Sequence, residues 1–245
     1  MDSDEEITLS SHALAALQQF RAEEDARTKH FEELKAKSQE QFDQRQVTID
    51  AFQEDWQLSQ FWYTDETAAT LGRALLEGAD NETVIVIASA PSVYAAIRNF
   101  PPEDIPTPHI YLLEYDTRFE ILAGSTHFSF YDYKTPEKVP ENLRNKCHRL
   151  LIDPPFLEEE CQTKSAQAAK NLLATDTTAK TNSGDTKIKL ISSTGERMNS
   201  VVKKNYPNTE ETTFLPEHKN GLSNEFRCYA SFECKYWKFR TTHLS

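Results

Sequence analysis

Short apolar runs alternate with amphipathic stretches over most of the chain. Five runs of strand length lie at 84–88, 109–114, 128–133, 149–153 and 188–192. The stretches between several of them place apolar residues at helical spacing. The first run is apolar at every position, which is typical of a strand buried on both faces. This alternation predicts a parallel sheet with helices on both sides.

The front of the chain predicts helices. Residues 11–55 contain neither Gly nor Pro and place apolar residues at helical spacing among charged ones. We therefore expect a helical extension over residues 1–55, ahead of a domain over residues 56–245. Thr64 is suited to cap a further helix, with Thr67 three residues later.

The end of the chain breaks the alternation. Segments 212–215 and 225–232 flank Asn220-Gly221, a strong hairpin turn signal. We therefore expect an antiparallel pair at one edge of the sheet. Residues 175–185 are poor in apolar side chains, which predicts a flexible insertion.

Charge and composition narrow the function classes. The net charge is −12, and residues 1–60 hold 14 Asp and Glu against 6 Lys and Arg. This balance argues against a nucleic-acid backbone as the main partner and fits a basic protein better. No apolar run approaches the ~18 residues of a membrane span, and the acidic start does not resemble a signal peptide. We expect a cytoplasmic protein without membrane association. The spacing of the four cysteines fits no zinc pattern, so no metal site is expected.

Candidate catalytic chemistry lies in Asp153-Pro154-Pro155-Phe156, which ends the fourth apolar run. The prolines cannot donate ladder hydrogen bonds and make the step stiff. The carboxylate and a backbone carbonyl can accept the hydrogens of an amine while the aromatic ring covers it. We therefore predict that these four residues are catalytic and act on an amino nitrogen. The alternative is a strand-terminating turn without chemistry.

Candidate cofactor chemistry lies at the other strand ends, because ligands of open parallel sheets bind beyond the carboxyl ends of the strands. Glu114 and Asp116 follow the second run and suit the hydroxyls of a ribose, and Asp132 follows the third and suits the amine of an adenine. Single acids there can instead cap helices. The turn after the first run, Ser89-Ala90-Pro91-Ser92, lacks glycine, which argues against NAD and leaves room for a cofactor without phosphates.

Six motifs together resemble the eukaryotic elongation factor 1-alpha lysine methyltransferases, which were earlier labelled adenine-specific DNA methyltransferases. The motifs are Gln60-Phe61-Trp62-Tyr63, Ser89-Ala90-Pro91-Ser92-Val93-Tyr94, Leu113-Glu114-Tyr115-Asp116 with Arg118-Phe119, Phe130-Tyr131-Asp132-Tyr133, Asp153-Pro154-Pro155-Phe156 and Asn224-Glu225-Phe226-Arg227-Cys228-Tyr229. The resemblance covers roughly residues 8–233 and is that of a fungal member.

This resemblance implies a Rossmann-like class I methyltransferase fold with a mostly parallel seven-stranded sheet. It implies S-adenosylmethionine as methyl donor and a lysine of elongation factor 1-alpha as acceptor. The expected cofactor-binding residues are Trp62, Tyr63, Ser89, Ala90, Pro91, Ser92, Glu114, Asp116, Tyr131 and Asp132. The expected substrate-binding residues are Asn224, Glu225 and Phe226. Family members often carry Tyr at Phe156, so the ring is expected to act without a hydroxyl. We expect a monomer.

Two alternatives stay open. An adenine-amino nucleic-acid methyltransferase is favoured by the same tetrapeptide and opposed by the charge. A non-catalytic binding protein with a methyltransferase fold is suggested by the missing glycines.

Overall fold

The computed structural model describes residues 60–221 and 225–240, together with eight single positions nearer the front of the chain. These positions are Gln18, Gln19, Arg21, Ala22, Ala26, Lys29, Ile49 and Phe52. The chain divides into two compact units, residues 1–44 and 45–245. The six described positions of the first unit are helical. The rest of the helix predicted over residues 11–55 lies outside the described residues, apart from Ile49 and Phe52, and the domain boundary at 55 stays a prediction.

The second unit contains a seven-stranded sheet. Its strands are β1 (Ile85–Ala88), β2 (Ile110–Glu114), β3 (Phe128–Phe130), β4 (Arg149–Ile152), β5 (Lys189–Gly195), β6 (Glu210–Glu211) and β7 (Phe226–Ala230). Their order in the sheet is β3-β2-β1-β4-β5-β7-β6. The first five strands pair in parallel, whereas β7 runs antiparallel to both β5 and β6. This topology confirms the predicted Rossmann-like methyltransferase fold.

Helices follow most of the strands. The α-helices are α1 (Asp65–Leu76), α2 (Pro91–Arg98), α3 (Glu120–Ala123), α4 (Glu159–Leu172) and α5 (Asn199–Asn205). Short 3-10 helices lie at Pro102–Asp104, Thr117–Phe119 and Glu196–Met198. Thr64 caps α1 as predicted, because its side chain accepts a hydrogen bond from the Thr67 backbone N–H. Within the described part of the chain, no helix has both the length and the apolar character needed to cross a membrane.

Two hydrophobic clusters cover the two faces of the sheet. Ile85 and Ile87 of β1 belong to the cluster that includes α1 and α2. Val86 and Ala88 belong to the one that includes α4 and α5. Successive side chains of a strand point to opposite faces, so a strand covered on both sides must be apolar throughout. The continuous apolar run in the sequence has this physical origin.

The predicted antiparallel pair forms at the edge of the sheet, but its connection is longer than a tight hairpin. Strand β6 lies just before the predicted segment 212–215, and β7 lies within the predicted segment 225–232. Asn220-Gly221 turns the intervening loop, where Gly221 has a φ of +63° and its N–H donates to the His218 carbonyl at 3.2 Å. The turn signal is therefore local, and it does not bring the two strands together by itself.

The segment 175–185 has defined turns. An isolated bridge joins Lys180 to Thr186, and the Asn182 backbone N–H donates to Asp80 Oδ2 at 3.0 Å. Asp185 accepts a hydrogen bond from Lys189 Nζ at 2.6 Å. The flexibility expected for this segment stays a prediction.

Candidate functional site

A pocket of about 790 Å³ lies beyond the carboxyl ends of the parallel strands. Its size falls within the range of about 300–1,000 Å³ that is usual for small-molecule sites. It brings together most of the predicted site residues: Trp62, Tyr63, Ser89, Ala90, Pro91, Ser92, Glu114, Tyr131, Asp132, Asp153, Pro154, Pro155, Phe156 and Phe226. The strand-end rule thus located the pocket from the sequence.

Ser89 forms the wall of the pocket where β1 turns into α2. Its φ is +59°, in the left-handed region that glycine adopts without steric cost. Pro91 then occupies the first turn of α2, where a missing N–H costs nothing. Ser89 therefore takes the backbone conformation for which many nucleotide-binding turns use a glycine. The turn forms in this chain without a glycine.

Glu114 and Asp116 differ in where their carboxylates point. Glu114 lines the pocket, and its Oε1 accepts the Tyr115 N–H at 2.9 Å. Burial raises its pKa to about 7. Asp116 is not among the residues that line the pocket. It accepts from Gln60 Nε2 at 2.9 Å and from Arg118 Nε at 2.9 Å.

The pKa of Asp116 reflects these partners. Burial alone would raise it, but the hydrogen bonds from Arg118 and Gln60 outweigh burial, and the pKa lies below its usual value. Asp116 also accepts from the Arg118 backbone N–H at the start of the 3-10 helix Thr117–Phe119. The Asp116 carboxylate is thus bound by the side chains of Arg118 and Gln60, whereas Glu114 accepts from backbone N–H groups and lines the pocket.

Asp153 lies at the end of β4 and faces the pocket together with Pro154, Pro155 and Phe156. Its Oδ2 accepts a hydrogen bond of 2.6 Å from the Tyr63 hydroxyl. Burial raises the pKa of Asp153 to about 7, the Tyr63 hydrogen bond opposes that rise, and the charge of Glu114 adds to it. A carboxyl with such a pKa can hold or release a proton near neutral pH.

The β6–β7 loop closes one side of the pocket by pairing with the segment in front of α1. Tyr63 and His218 form an antiparallel bridge. The Thr64 N–H donates to the Glu217 carbonyl at 2.9 Å, and the Lys219 N–H donates to the Trp62 carbonyl at 2.8 Å. The segment just before the turn at Asn220-Gly221 therefore pairs with residues 62–64.

His218 packs between two rings of the pocket. Its ring centroid lies 4.7 Å from that of Tyr63 and 4.4 Å from that of Phe226. Burial lowers the pKa of His218 to about 4, so the imidazole is neutral at physiological pH. This side of the pocket is consequently aromatic and uncharged. On another side, the rings of Tyr133 and Phe156 meet edge to face with centroids 5.8 Å apart.

Of the predicted substrate residues that the structure describes, Phe226 lines the pocket and Glu225 does not. Asn224 lies outside the described residues. Glu225 is exposed and accepts from Arg227 Nη2 at 2.7 Å, so its carboxylate points to β7.

The pocket also contains residues that were not predicted as site residues. They are Gln60, Phe61, Tyr115, Tyr133, Lys134, Leu157, Glu158, Arg197, His218 and Gly221. Most of them flank the predicted residues in sequence, so their position next to the motifs was a usable signal. Arg197 and His218 are exceptions, because only the fold of the helix after β5 and of the β6–β7 loop brings them to the pocket.

Comparison with known families agrees with this geometry. A family model described as probable N6-adenine methyltransferase matches residues 54–234. The chain belongs to this methyltransferase family. Together with the relatives described next, this match confirms the resemblance inferred from the six motifs.

The relatives of this methyltransferase are named for lysine. The protein-lysine N-methyltransferase EFM5 of Saccharomyces cerevisiae is 58% identical to it over 95% of this chain and 94% of the relative. EEF1A lysine methyltransferase 1 is 37% identical in Gallus gallus, covering 94% of this chain and 97% of the relative. The Homo sapiens protein of the same name is 35% identical and covers 95% of each chain. The family description thus names adenine, whereas the relatives are named for lysine.

A solved structure supports the fold of the methyltransferase domain. The branched-chain polyamine synthase C9 mutein from Thermus thermophilus superposes with a TM-score of 0.53. It covers 82% of this chain and 62% of the synthase at 9% identity. At that identity the likeness concerns the fold alone.

Proposed function

We propose that this methyltransferase uses S-adenosylmethionine to methylate a lysine of translation elongation factor 1-alpha. The observation that carries the proposal is the convergence of Glu114 and Asp153-Pro154-Pro155-Phe156 on one pocket. The names of the relatives that match nearly the whole chain support lysine of that factor as the acceptor.

The residues around the pocket fit a nucleoside carrying a methylsulfonium group. Glu114 offers a carboxylate for ribose hydroxyls, and Asp132 offers one for the amine of an adenine. The small side chains of Ser89 and Ala90 leave the turn after β1 open to an amino-acid moiety. When bound, S-adenosylmethionine supplies the methyl group. Geometry favours Glu114 over Asp116 as the ribose ligand, because Asp116 is held by Arg118 and Gln60.

The chain's own residues prepare the acceptor. A free lysine has a pKa near ~10.4, and removal of its amine from water on binding favours the neutral form. The Asp153 carboxylate and the Pro154 carbonyl accept the amine hydrogens, which leaves the nitrogen lone pair free. The Phe156 ring stabilises the ammonium before it loses its proton. These contacts hold the amine in position for attack, and such positioning lowers the barrier to methyl transfer.

Incubation with radiolabelled S-adenosylmethionine tests the acceptor. Label should pass to a single protein band of elongation factor 1-alpha in a cell extract, sensitive to protease and resistant to nuclease. The adenine alternative rests on the family description. Label that survives protease and disappears with nuclease would establish it and contradict the lysine proposal. Calorimetry that shows no cofactor binding at millimolar concentration would instead favour a non-catalytic protein.

Substitution of Asp153 tests the chemistry. Asp153→Ala should abolish methyl transfer while cofactor affinity stays within about tenfold, or ~1.4 kcal/mol, because the carboxylate contacts the acceptor. Asp176→Ala is the matched control, since Asp176 is exposed in the 175–185 segment and should transfer methyl groups like the unmodified protein. Normal turnover in Asp153→Ala would show that Asp153-Pro154-Pro155-Phe156 is a structural turn without a catalytic role.

A further inference from the structure

Tyr63, one of the predicted cofactor-binding residues, donates its hydroxyl hydrogen bond to Asp153. Tyr63 is 1% exposed, and its oxygen lies 2.6 Å from Asp153 Oδ2. A second hydrogen bond of 2.7 Å joins the same oxygen to Ser193 Oγ on β5. A phenol has one proton to donate. Because that proton goes to Asp153, the Tyr63 oxygen accepts from Ser193, and the three groups form a chain directed at the carboxylate.

The backbone holds this chain in place. Tyr63 bridges His218 in the β6–β7 loop, and its ring packs against the His218 ring. Ser193 lies in β5, which pairs with β7 on one side and β4 on the other. The Tyr63 hydroxyl is therefore held by the β6–β7 loop and by Ser193 of β5, in addition to its bond to Asp153.

We propose that Tyr63 is a positioning residue, whose hydroxyl, supported by Ser193, orients the ionised Asp153 carboxylate toward the acceptor amine. The inference rests on the proposed function for its effect on turnover. Since buried carboxylates need hydrogen-bond donors to stay charged, the same contact keeps Asp153 competent near neutral pH.

Other titratable groups also lie near Asp153 and Tyr63, and their pKa values decide which of them change charge near neutral pH. The charge of the Glu114 carboxyl raises the pKa of Asp153, and the charge of Asp153 in turn raises the pKa of the Cys161 thiol of α4. The Cys228 thiol of β7 acts on Tyr63, and burial raises the pKa of the Tyr63 phenol well above its usual value. Burial likewise raises the pKa of Cys161 to about 11 and that of Cys228 to about 12. Both thiols, the phenol and the neutral His218 therefore keep their charge constant between about pH 5 and pH 9, which leaves Glu114 and Asp153 to titrate there.

Tyr63→Phe tests the proposal, because it removes the hydroxyl and keeps the ring. We expect kcat for methyl transfer to fall about 10- to 100-fold, as for loss of a hydrogen bond to a charged group. The affinity for S-adenosylmethionine should stay within about twofold. The infrared carboxyl band of Asp153, identified by its loss in Asp153→Asn, should titrate at least about one pH unit higher in the variant.

Two further variants sharpen the test. Ser193→Ala should change kcat and the Asp153 titration in the same direction but less, and the double variant should be no worse than Tyr63→Phe, since the groups act in series. Tyr206→Phe is the matched control. Tyr206 is buried, and its hydroxyl has no hydrogen-bond partner among the described residues, so kcat and the titration should not change.

Three outcomes would overturn the proposal. An unchanged Asp153 titration in Tyr63→Phe and Ser193→Ala would leave the hydroxyl with a packing role only. Weaker cofactor binding by Tyr63→Phe with unchanged kcat would show that Tyr63 acts as a cofactor-binding residue instead. A Tyr206→Phe effect equal to that of Tyr63→Phe would show a general loss of packing. If the unmodified protein transferred no methyl group to lysine, the proposed function would fail. The infrared titration needs no acceptor and would still decide the role of Tyr63.

Discussion

At the scale of the residue, Ser89 shows how a side chain can replace an expected glycine at a cost. Its φ of +59° places a Cβ in the left-handed region, which costs roughly 1–2 kcal/mol for a residue other than glycine. Glycine in its place would lose more chain entropy on folding, roughly 0.5–1 kcal/mol. The two contributions have opposite signs, and the steric one is the larger.

Ser89→Gly should therefore raise the free energy of unfolding by about 0.5–1 kcal/mol. Urea denaturation monitored by fluorescence measures the change. Ser89→Ala is the control, because it removes the hydroxyl and keeps the strained backbone, and its stability should stay within about 0.5 kcal/mol of the unmodified protein. A glycine variant less stable than the alanine variant would show that the turn is not strained.

At the scale of the element, a buried cation joins β4 to the end of α1. Arg149 opens β4 and is fully buried. Its Nη1 donates to the Leu75 carbonyl at 2.6 Å and to the Glu77 carbonyl at 2.8 Å. The last carbonyls of a helix have no partner within the helix. The Arg149 guanidinium supplies donors to them and so caps the C-terminal end of α1. Its Nη2 lies 3.7 Å from Asp185 Oδ2, which ties the 175–185 segment to the same point.

Arg149→Met should lower the free energy of unfolding by about 3 kcal/mol, because two charge-assisted hydrogen bonds are lost and carbonyls stay buried. Chemical denaturation measures this. Lys204→Met removes a cation at an exposed ion pair with Glu159 and should change stability by less than about 0.5 kcal/mol. Equal effects of the two substitutions would mean that the buried guanidinium contributes no more than a surface charge.

At the scale of the whole molecule, the net charge of −12 affects how fast the protein meets charged partners and does not determine its fold. Much of the excess lies in residues 1–60. The family model begins at residue 54, so the acidic extension lies largely ahead of the matched domain. Complementary charge raises the rate of encounter with a basic protein and weakens with salt.

Removal of residues 1–44 should therefore slow association with elongation factor 1-alpha more than it harms methyl transfer. At low ionic strength we expect KM for the factor to rise several-fold while kcat stays within about twofold. At about 0.5 M salt the two proteins should differ little, because screening removes the long-range attraction. A fall in kcat with unchanged KM would assign the extension to the chemistry instead.

Much of the fold could be predicted because the evidence for it is local. An apolar run such as Val84 to Ala88 reports burial on both faces, and the alternation of runs reports parallel winding. The carboxyl-edge rule predicted that Glu114, Asp132 and Asp153 lie together, and all three line one pocket. The role of Glu225 stays a prediction, and its carboxylate accepts a hydrogen bond from Arg227, two residues further along the chain.

The sequence by itself determined the strands, the helices between them, the pocket edge and the tetrapeptide that ends β4. Each of these follows from residues close together in the chain. Only the tertiary structure decided that β7 lies between β5 and β6, that Ser89 takes a left-handed backbone, and that Asp116 turns to Arg118. It also decided that Tyr63 meets Asp153 across 90 positions of sequence. Such contacts depend on packing between distant segments, and no local periodicity or spacing carries that information.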